Sequence, residues 1–194
     1  IILTGYLHEK IEDYFKEGKK IGLKIKYSFS PVDNETGTRL KKAKGLIDEK
    51  FLLLYGDNYW PLELNQLSEF YEKMNTQGLV TVYSNMDNYT KNNTFVNDKG
   101  LVEVYDKSRQ TPGLNGVDIG FFILNKKVFN LFPGENFSFE KVILPQLISK
   151  KQLAGFLTYH KYYGLSNLER IPVIEEFFRP KKVVLLDRDG VINK

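Results

Sequence analysis

Apolar residues recur along this chain at two alternating periods, one near 3.6 and one of 2, and the switches between them mark out the elements. Leu7, Ile11, Tyr14 and Phe15 stand at helical spacing, with Gly18 placed to cap the C-terminus of that helix. Ile21, Leu23, Ile25, Tyr27 and Phe29 then alternate with other residues, which predicts a half-buried strand. Residues 31–37 form a polar loop, and the short basic stretch 38–44 suits one or two helical turns. Residues 51–55 are unbroken apolar, which predicts a strand covered on both faces. Leu64, Leu67, Phe70, Tyr71 and Met74 make a helical stripe of core-packing side chains.

Strand-like runs follow at 79–83, 101–105, 117–124 and 153–159, and an Asn-rich connection fills 85–93. Ser138 is predicted to cap a helix carrying Phe139, Val142, Ile143 and Leu147, with a kink at Pro145. Residues 168–178 read as helix, 179–182 as a hinge and 183–186 as a fresh buried strand. The alternation predicts an α/β fold around a mostly parallel sheet. Ile1-Ile2-Leu3-Thr4 reads as the end of a strand, so the first strand–helix unit is expected to be missing.

Composition narrows the function classes. The 194 residues are 42% hydrophobic and 27% charged, which describes an ordinary globular chain and excludes a disordered one. With 28 basic and 24 acidic side chains the net charge of +4 is mild, and suits an anionic small molecule as well as nucleic acid, so charge alone does not choose. The absence of cysteine excludes a disulfide scaffold, a thiolate zinc site and a thiol nucleophile. Two histidines, His8 and His160, argue against a His-rich metal centre. No apolar run approaches the ~20 residues of a membrane helix, and no signal peptide is visible.

Four features carry candidate chemistry. The 51–55 run ends in Gly56 and then Asp57, which places a carboxylate where ligands bind in open α/β sheets, beyond the carboxyl ends of the strands. Asp57 there suits Mg²⁺ facing a phosphate, and equally a helix cap or a turn. Gly37-Thr38 opens a basic helix, where backbone N–H groups favour anions, as they also would in a plain surface turn. A strand runs into Asp106-Lys107, and Gly116 and Gly120 bracket a strand start that holds Asp118. Either could line a polyol pocket or be structural.

Together and in this order, the four features resemble the sugar-1-phosphate nucleotidylyltransferases over roughly residues 1–178. Residues 6–15 are similar to that family's second helix, 25–28 to its third strand, 98–102 to its usual hairpin turn and 138–145 to a late helix. The resemblance implies a Rossmann-like, three-layer nucleotide-diphospho-sugar transferase fold with its first strand–loop–helix unit missing. It implies nucleotide binding by Gly37, Thr38 and Gly56, Mg²⁺ at Asp57, and sugar binding by Asp106, Lys107 and Asp118. Nucleoside triphosphate and sugar phosphate are the implied partners, with no nucleic acid and no membrane, in the cytoplasm. Gly37-Thr38-Arg39-Leu40 also copies the tail of the family's Gly-rich triphosphate loop. Its position just before the Asp57 strand fits the later base-holding loop instead. The family's second metal Asp has no counterpart in residues 162–166, where Tyr163 and Ser166 stand nearest. That departure keeps open a sugar-phosphate-binding domain without catalysis. A glycosyltransferase of the GT-A type, which shares the fold, is a further reading, weakened because Gly56-Asp57-Asn58 lacks the second Asp of an Asp-x-Asp metal site.

Residues 183–193 deliver Asp187 and Asp189 from an apolar strand at a spacing that puts both on one side of the extended chain, with Gly190 for a tight exit. The stretch resembles the first motif of haloacid-dehalogenase-type phosphatases, in the version found in histidinol-phosphate and heptose-bisphosphate phosphatases. The resemblance implies Asp187 as nucleophile, Asp189 as general acid/base and both at Mg²⁺. The expectation is therefore a bifunctional sugar-nucleotide enzyme cut at both ends, with a transferase-like domain at 1–178 and the start of a phosphatase at 179–194. Heptose 1-phosphate is the sugar this pairing favours.

Overall fold

The computed structural model describes residues 1–181. The chain falls into two compact units, one of residues 1–162 and one beginning at Tyr163. The first opens with β1 (Ile2–Thr4), α1 (His8–Phe15), a 3-10 turn (Lys19–Ile21), β2 (Tyr27–Phe29) and α2 (Thr36–Lys42). It continues through β3 (Lys50–Leu54), β4 (Asn58–Tyr59), α3 (Leu64–Met74), β5 (Gly78–Tyr83), β6 (Thr94–Val96), β7 (Val102–Tyr105) and β8 (Val117–Asn125). A 3-10 segment (Lys126–Leu131), α4 (Phe139–Ser149) and β9 (Leu153–Thr158) complete it. The second unit holds β10 (Tyr163–Gly164) and α5 (Ile171–Phe178), and within it the Tyr163 and Phe177 rings stack with centroids 4.0 Å apart.

The main sheet has the order β3-β8-β5-β9. Strands β3, β5 and β9 run the same way, and β8 runs against both of its neighbours. β5 explains why the fold has three layers. Its residues are buried on both faces, with Val80 and Val82 in one apolar cluster and Leu79 and Tyr83 in another. β8 splits likewise, sending Phe122 and Leu124 to the first cluster and Ile119, Phe121 and Ile123 to the second. Leu40 and Ala43, at and just beyond the end of α2, and Ile143, Leu144 and Leu147 of α4 cover the first face. Leu67 and Tyr71 of α3 cover the second, on the stripe the sequence predicts. Each such buried Leu, Ile or Phe contributes roughly 1.5–3 kcal/mol over leaving it exposed. Ser138 caps α4 as expected, its hydroxyl accepting from the Lys141 N–H, and the helix continues through Pro145 to Ser149.

Two expectations are corrected. The alternation over 21–29 yields a strand only at Tyr27–Phe29, while Ile21 and Leu23 are exposed. The ladder of β2 is limited by its partner β1, which is three residues long, and Gly22 turns the chain with φ 70° just before. The continuous apolar run at β3 is covered on one side only. Leu52 and Leu54 are exposed and join neither apolar cluster, whereas Phe51 and Leu53 pack against the first. A run of apolar residues reports hydrophobicity, and cannot say which neighbours cover it. Strand β6 follows the Asn-rich stretch directly, and its three residues, Thr94, Phe95 and Val96, are too short a run to predict a strand.

Arg39 ties the start of this unit together. Its guanidinium donates to the carbonyls of Thr4, Pro31 and Val32 at 3.1–3.2 Å, and its Nε to that of Asn34 at 2.8 Å. These bonds fasten the end of β1 and the following polar loop to α2. Beside them, a cleft of about 410 Å³ separates β1 from β3, lined by Leu3, Leu40, Ile47, Phe51 and Leu53 with Lys26 at its rim.

Candidate active site

The site is built where the C-terminal end of β3 meets the N-terminal end of β8. Leu54 faces Phe121 across the ladder, and the Tyr55 N–H donates to the Gly120 carbonyl at 3.0 Å. Here β8 bulges, with its register against β5 slipping between Val80 and Val82. Gly120 takes up the distortion at φ 75°, where a side chain would be strained and its Cβ would strike the Tyr55 ring at 2.9 Å. The Asp118 carboxylate clamps the bulge by accepting the Gly120 N–H at 2.7 Å. Asn58 fixes the turn after β3 by donating from Nδ2 to the Ile119 carbonyl at 3.0 Å.

This anchored turn displays Gly56 and Asp57, both exposed. A Cβ on Gly56 would meet nothing within 4 Å, so no protein contact requires glycine there and the space beside it is open. Asp57 makes no hydrogen bond or ion pair with the described residues. It does not cap α3, whose N-cap is Glu63.

Gly37 and Thr38 lie in the first turn of α2. Their N–H groups both point at the Phe137 carbonyl, at 3.1 and 3.3 Å, and the Thr38 hydroxyl accepts the Phe137 N–H at 3.0 Å. Gly37 is glycine for packing: a Cβ would lie 2.2 Å from the Phe137 ring. Arg39 donates to four backbone carbonyls, so most of its N–H groups are occupied by the chain itself.

Asp106 organises the loop after β7. One oxygen accepts the Ser108 N–H and hydroxyl, the other the N–H groups of Gln110 and Thr111 and the Thr111 hydroxyl. These hydrogen bonds, led by that of the Ser108 hydroxyl, hold its carboxyl well below the usual carboxylate range. The adjacent Lys107 instead turns inward, its ammonium 3.7 Å from the Glu140 carboxylate. Lys107, Glu140 and Tyr105 line an open hollow with Asp106 and Pro145.

Glu140 is the residue that sequence reading did not single out. It stands two residues after the helix cap, where an acid is ordinary, yet it is 5% exposed. Its Oε2 accepts the hydroxyls of Thr36, at 3.0 Å, and Ser138, at 2.8 Å. The buried Tyr55 hydroxyl faces it as well. Burial pushes the Glu140 carboxyl up, but the hydrogen-bonding hydroxyls and Lys107 outweigh it and leave the group below its ordinary value. The only available signal was local: a Glu two residues after the capping Ser138, between Phe139 and Lys141.

Asp118 shows the opposite balance. Burial, followed by the charge of Glu140, raises its carboxyl to about 7, against the Gly120 N–H and the cations Arg109 and Lys107. Tyr105 and Tyr55 are the other titratable groups that face it. The sign follows from linkage. The folded chain holds a proton on Asp118 that the unfolded chain releases near pH 4, so this group's contribution to stability falls as pH rises from about 4 to about 7. Asp118→Asn is therefore expected to gain stability on the parent over that window, by roughly 2 kcal/mol at pH 8 relative to pH 4 once solvent screening is allowed for. Paired thermal melts across that range check it, and parallel curves would refute the raised carboxyl.

The Nucleotidyl transferase family profile matches residues 1–163. The chain belongs to this family. Among curated relatives, the probable glucose-1-phosphate cytidylyltransferase of Bacillus subtilis (strain 168) is 28% identical over 181 residues, 82% of this chain and 69% of that protein. The D-glycero-alpha-D-manno-heptose 1-phosphate guanylyltransferase of Campylobacter jejuni is 28% identical over 147 residues, 74% of this chain and 62% of that protein. The chain thus spans about two thirds of the length of these nucleotidyl transferases. HddC from Yersinia pseudotuberculosis superposes with a TM-score of 0.74 at 20% identity, over 90% of this chain and 76% of that one. A second HddC structure, complexed with GMP-PN, gives 0.67 at 21% identity, over 90% and 76% of the two chains. The nucleotidyl transferase fold expected from the sequence is the fold observed.

In this nucleotidyl transferase chain, the test for a metal rests on the donor set. No group of three or more acidic or histidine side chains suited to a metal ion exists among the described residues. A lone exposed carboxylate does fit Mg²⁺, which keeps its waters and uses one or two carboxylates plus substrate phosphates. Asp187 and Asp189 lie outside the described residues. No helix among the described residues is long and apolar enough to cross a membrane.

Proposed function

We propose that this chain carries the site of a sugar-1-phosphate nucleotidylyltransferase, which joins a nucleotidyl group to a sugar 1-phosphate and releases pyrophosphate. The observation that carries the reading is that Lys107 and Asp118 gather round Glu140, next to Tyr55 at the β3 turn that displays Asp57, in a chain that belongs to the Nucleotidyl transferase family. In the reaction a phosphate oxygen of the sugar attacks the α-phosphorus, the bond to the bridging oxygen breaks, and pyrophosphate leaves. No side-chain nucleophile is needed, so the protein's work is positioning and charge neutralisation.

Gly37, Thr38 and Gly56 are assigned to the nucleotide side. Lys107, with its ammonium half in solvent, is assigned to the sugar phosphate, with Asp106 shaping its loop and Asp118 facing sugar hydroxyls. Asp57 would hold Mg²⁺, which supplies charge neutralisation on the phosphates when bound. The names of the relatives make glucose 1-phosphate and heptose 1-phosphate the first acceptors to try, and CTP and GTP the first donors. We assign Asp187 and Asp189 to a phosphatase module that begins near residue 179, and place the transferase in the cytoplasm with its triphosphate substrates.

The test is pyrophosphate release by the full-length protein from GTP or CTP with Mg²⁺ and heptose, glucose or mannose 1-phosphate in turn. Release with at least one pair is expected, at a rate that depends on both substrates. No release from any pair, with the protein folded, would overturn the reading.

A further inference from the structure

Every candidate residue of the site sits beside a group that reaches one buried carboxylate. Thr36 precedes Gly37 and Thr38, and its hydroxyl donates to Glu140 Oε2. Tyr55 precedes Gly56 and Asp57, and its buried hydroxyl faces the same carboxylate. Lys107 follows Asp106, and its ammonium lies 3.7 Å from Glu140 Oε1. Asp118 senses the Glu140 charge directly. These groups stand on α2, on β8 and just beyond β3 and β7, and the Thr36 bond spans 104 residues of sequence. Its own position is fixed from behind, because Ser138 caps α4 and donates to Glu140, while Thr36 also accepts the Phe139 N–H at 3.0 Å.

We propose that Glu140 is a positioning residue that couples the nucleotide side of the site to the sugar-phosphate side. The physical reason is the cost of a buried charge. A carboxylate that is almost wholly enclosed must be matched by donors, and removing one donor leaves it under-satisfied. Thr36 on the nucleotide side and Lys107 on the sugar side therefore share one acceptor, and a change at either alters what the acceptor asks of the other. The proposal rests on the assignment of Lys107 to the sugar phosphate made above, and adds that Thr36, which lies on the other side, affects that affinity through Glu140.

A double-mutant cycle tests it. Glucose 1-phosphate, mannose 1-phosphate and heptose 1-phosphate are titrated calorimetrically into the parent chain, Thr36→Val, Glu140→Gln and the double variant. Each single variant is expected to weaken binding about tenfold, and the double variant to be no weaker than the worse single one. Glu140→Gln keeps the shape and one oxygen acceptor, so folding is preserved. A hundredfold, additive loss in the double variant would show two independent structural effects and overturn the coupling, as would unchanged affinity in Thr36→Val.

Amide NMR spectra of the substrate-free protein give a second readout. Glu140→Gln is expected to move the resonances of Gly37, Gly56 and Lys107 together, and a change confined to residues 138–142 would overturn the proposal. If the parent binds none of the sugar phosphates yet the three amides shift together, the assignment of Lys107 fails while the linkage through Glu140 stands.

Discussion

Asp57→Asn is expected to lower pyrophosphate release about 100-fold, equivalent to about 2.7 kcal/mol of transition-state stabilisation. The side chain stands on an exposed turn, anchored from behind by Asn58 on Ile119 and by Tyr55 on Gly120. Nothing in the described protein uses its charge, so the loss belongs to whatever it binds. Asn preserves the shape and removes the charge a hard cation needs. Raised Mg²⁺ is expected to recover part of the rate. Thermal stability is expected to stay within about 0.5 kcal/mol of the parent, as for a surface substitution. Steady-state kinetics at several Mg²⁺ concentrations measure both effects, and a rate near that of the parent would refute the metal assignment.

Phe122→Ala is expected to be the most damaging single core change, at about 3–5 kcal/mol. Phe122 is 1% exposed in the middle of β8, on the face covered by α4. Its ring meets those of Tyr55 and Phe139, with centroids 5.9 and 5.6 Å away. Removing it opens a cavity and takes the backing from two residues next to the site, since Tyr55 precedes Gly56 and Phe139 precedes Glu140. At roughly 2–4 °C per kcal/mol for a chain of this size, the melting temperature should fall by about 6–20 °C. Phe29→Ala is the built-in comparison. That ring is 54% exposed, and its loss should cost a fraction as much. Equal losses at the two positions would contradict the placement of the core.

Much of this architecture was legible because local pattern and tertiary packing agree. Of the predicted stripe, Leu67, Phe70, Tyr71 and Met74 face the sheet while Leu64, in the first turn of α3, is exposed, and the 79–83 run is the strand buried on both sides. Ser138 caps its helix as its side chain predicts. The misreadings share a cause, which is that one-dimensional pattern omits the neighbour. The run at β3 looks as buried as β5, but nothing in either apolar cluster covers Leu52 and Leu54. The alternation at 21–29 has no partner long enough to pair with. Gly37 reads as a ligand-approach glycine, whereas the ring of Phe137, a hundred residues on, requires it. Glu140 escaped notice because its importance lies wholly in residues distant in sequence, and first-turn acids are common.

The cleft between β1 and β3 has a consequence for how this chain behaves in concentrated solution. Among the described strands, β1 has only β2 beside it and β3 has only β8. Each therefore turns an open backbone edge toward the same cleft of about 410 Å³, which Leu3, Phe51 and Leu53 line together with Lys24, Lys26 and Asp48. Two edges facing one cleft form a template for strand addition from either side. Backbone amides of Leu52 and Leu54 should exchange with deuterium faster than those of Val80 and Val82. Self-association, where it occurs, should begin along this seam and spare the opposite end of the sheet order.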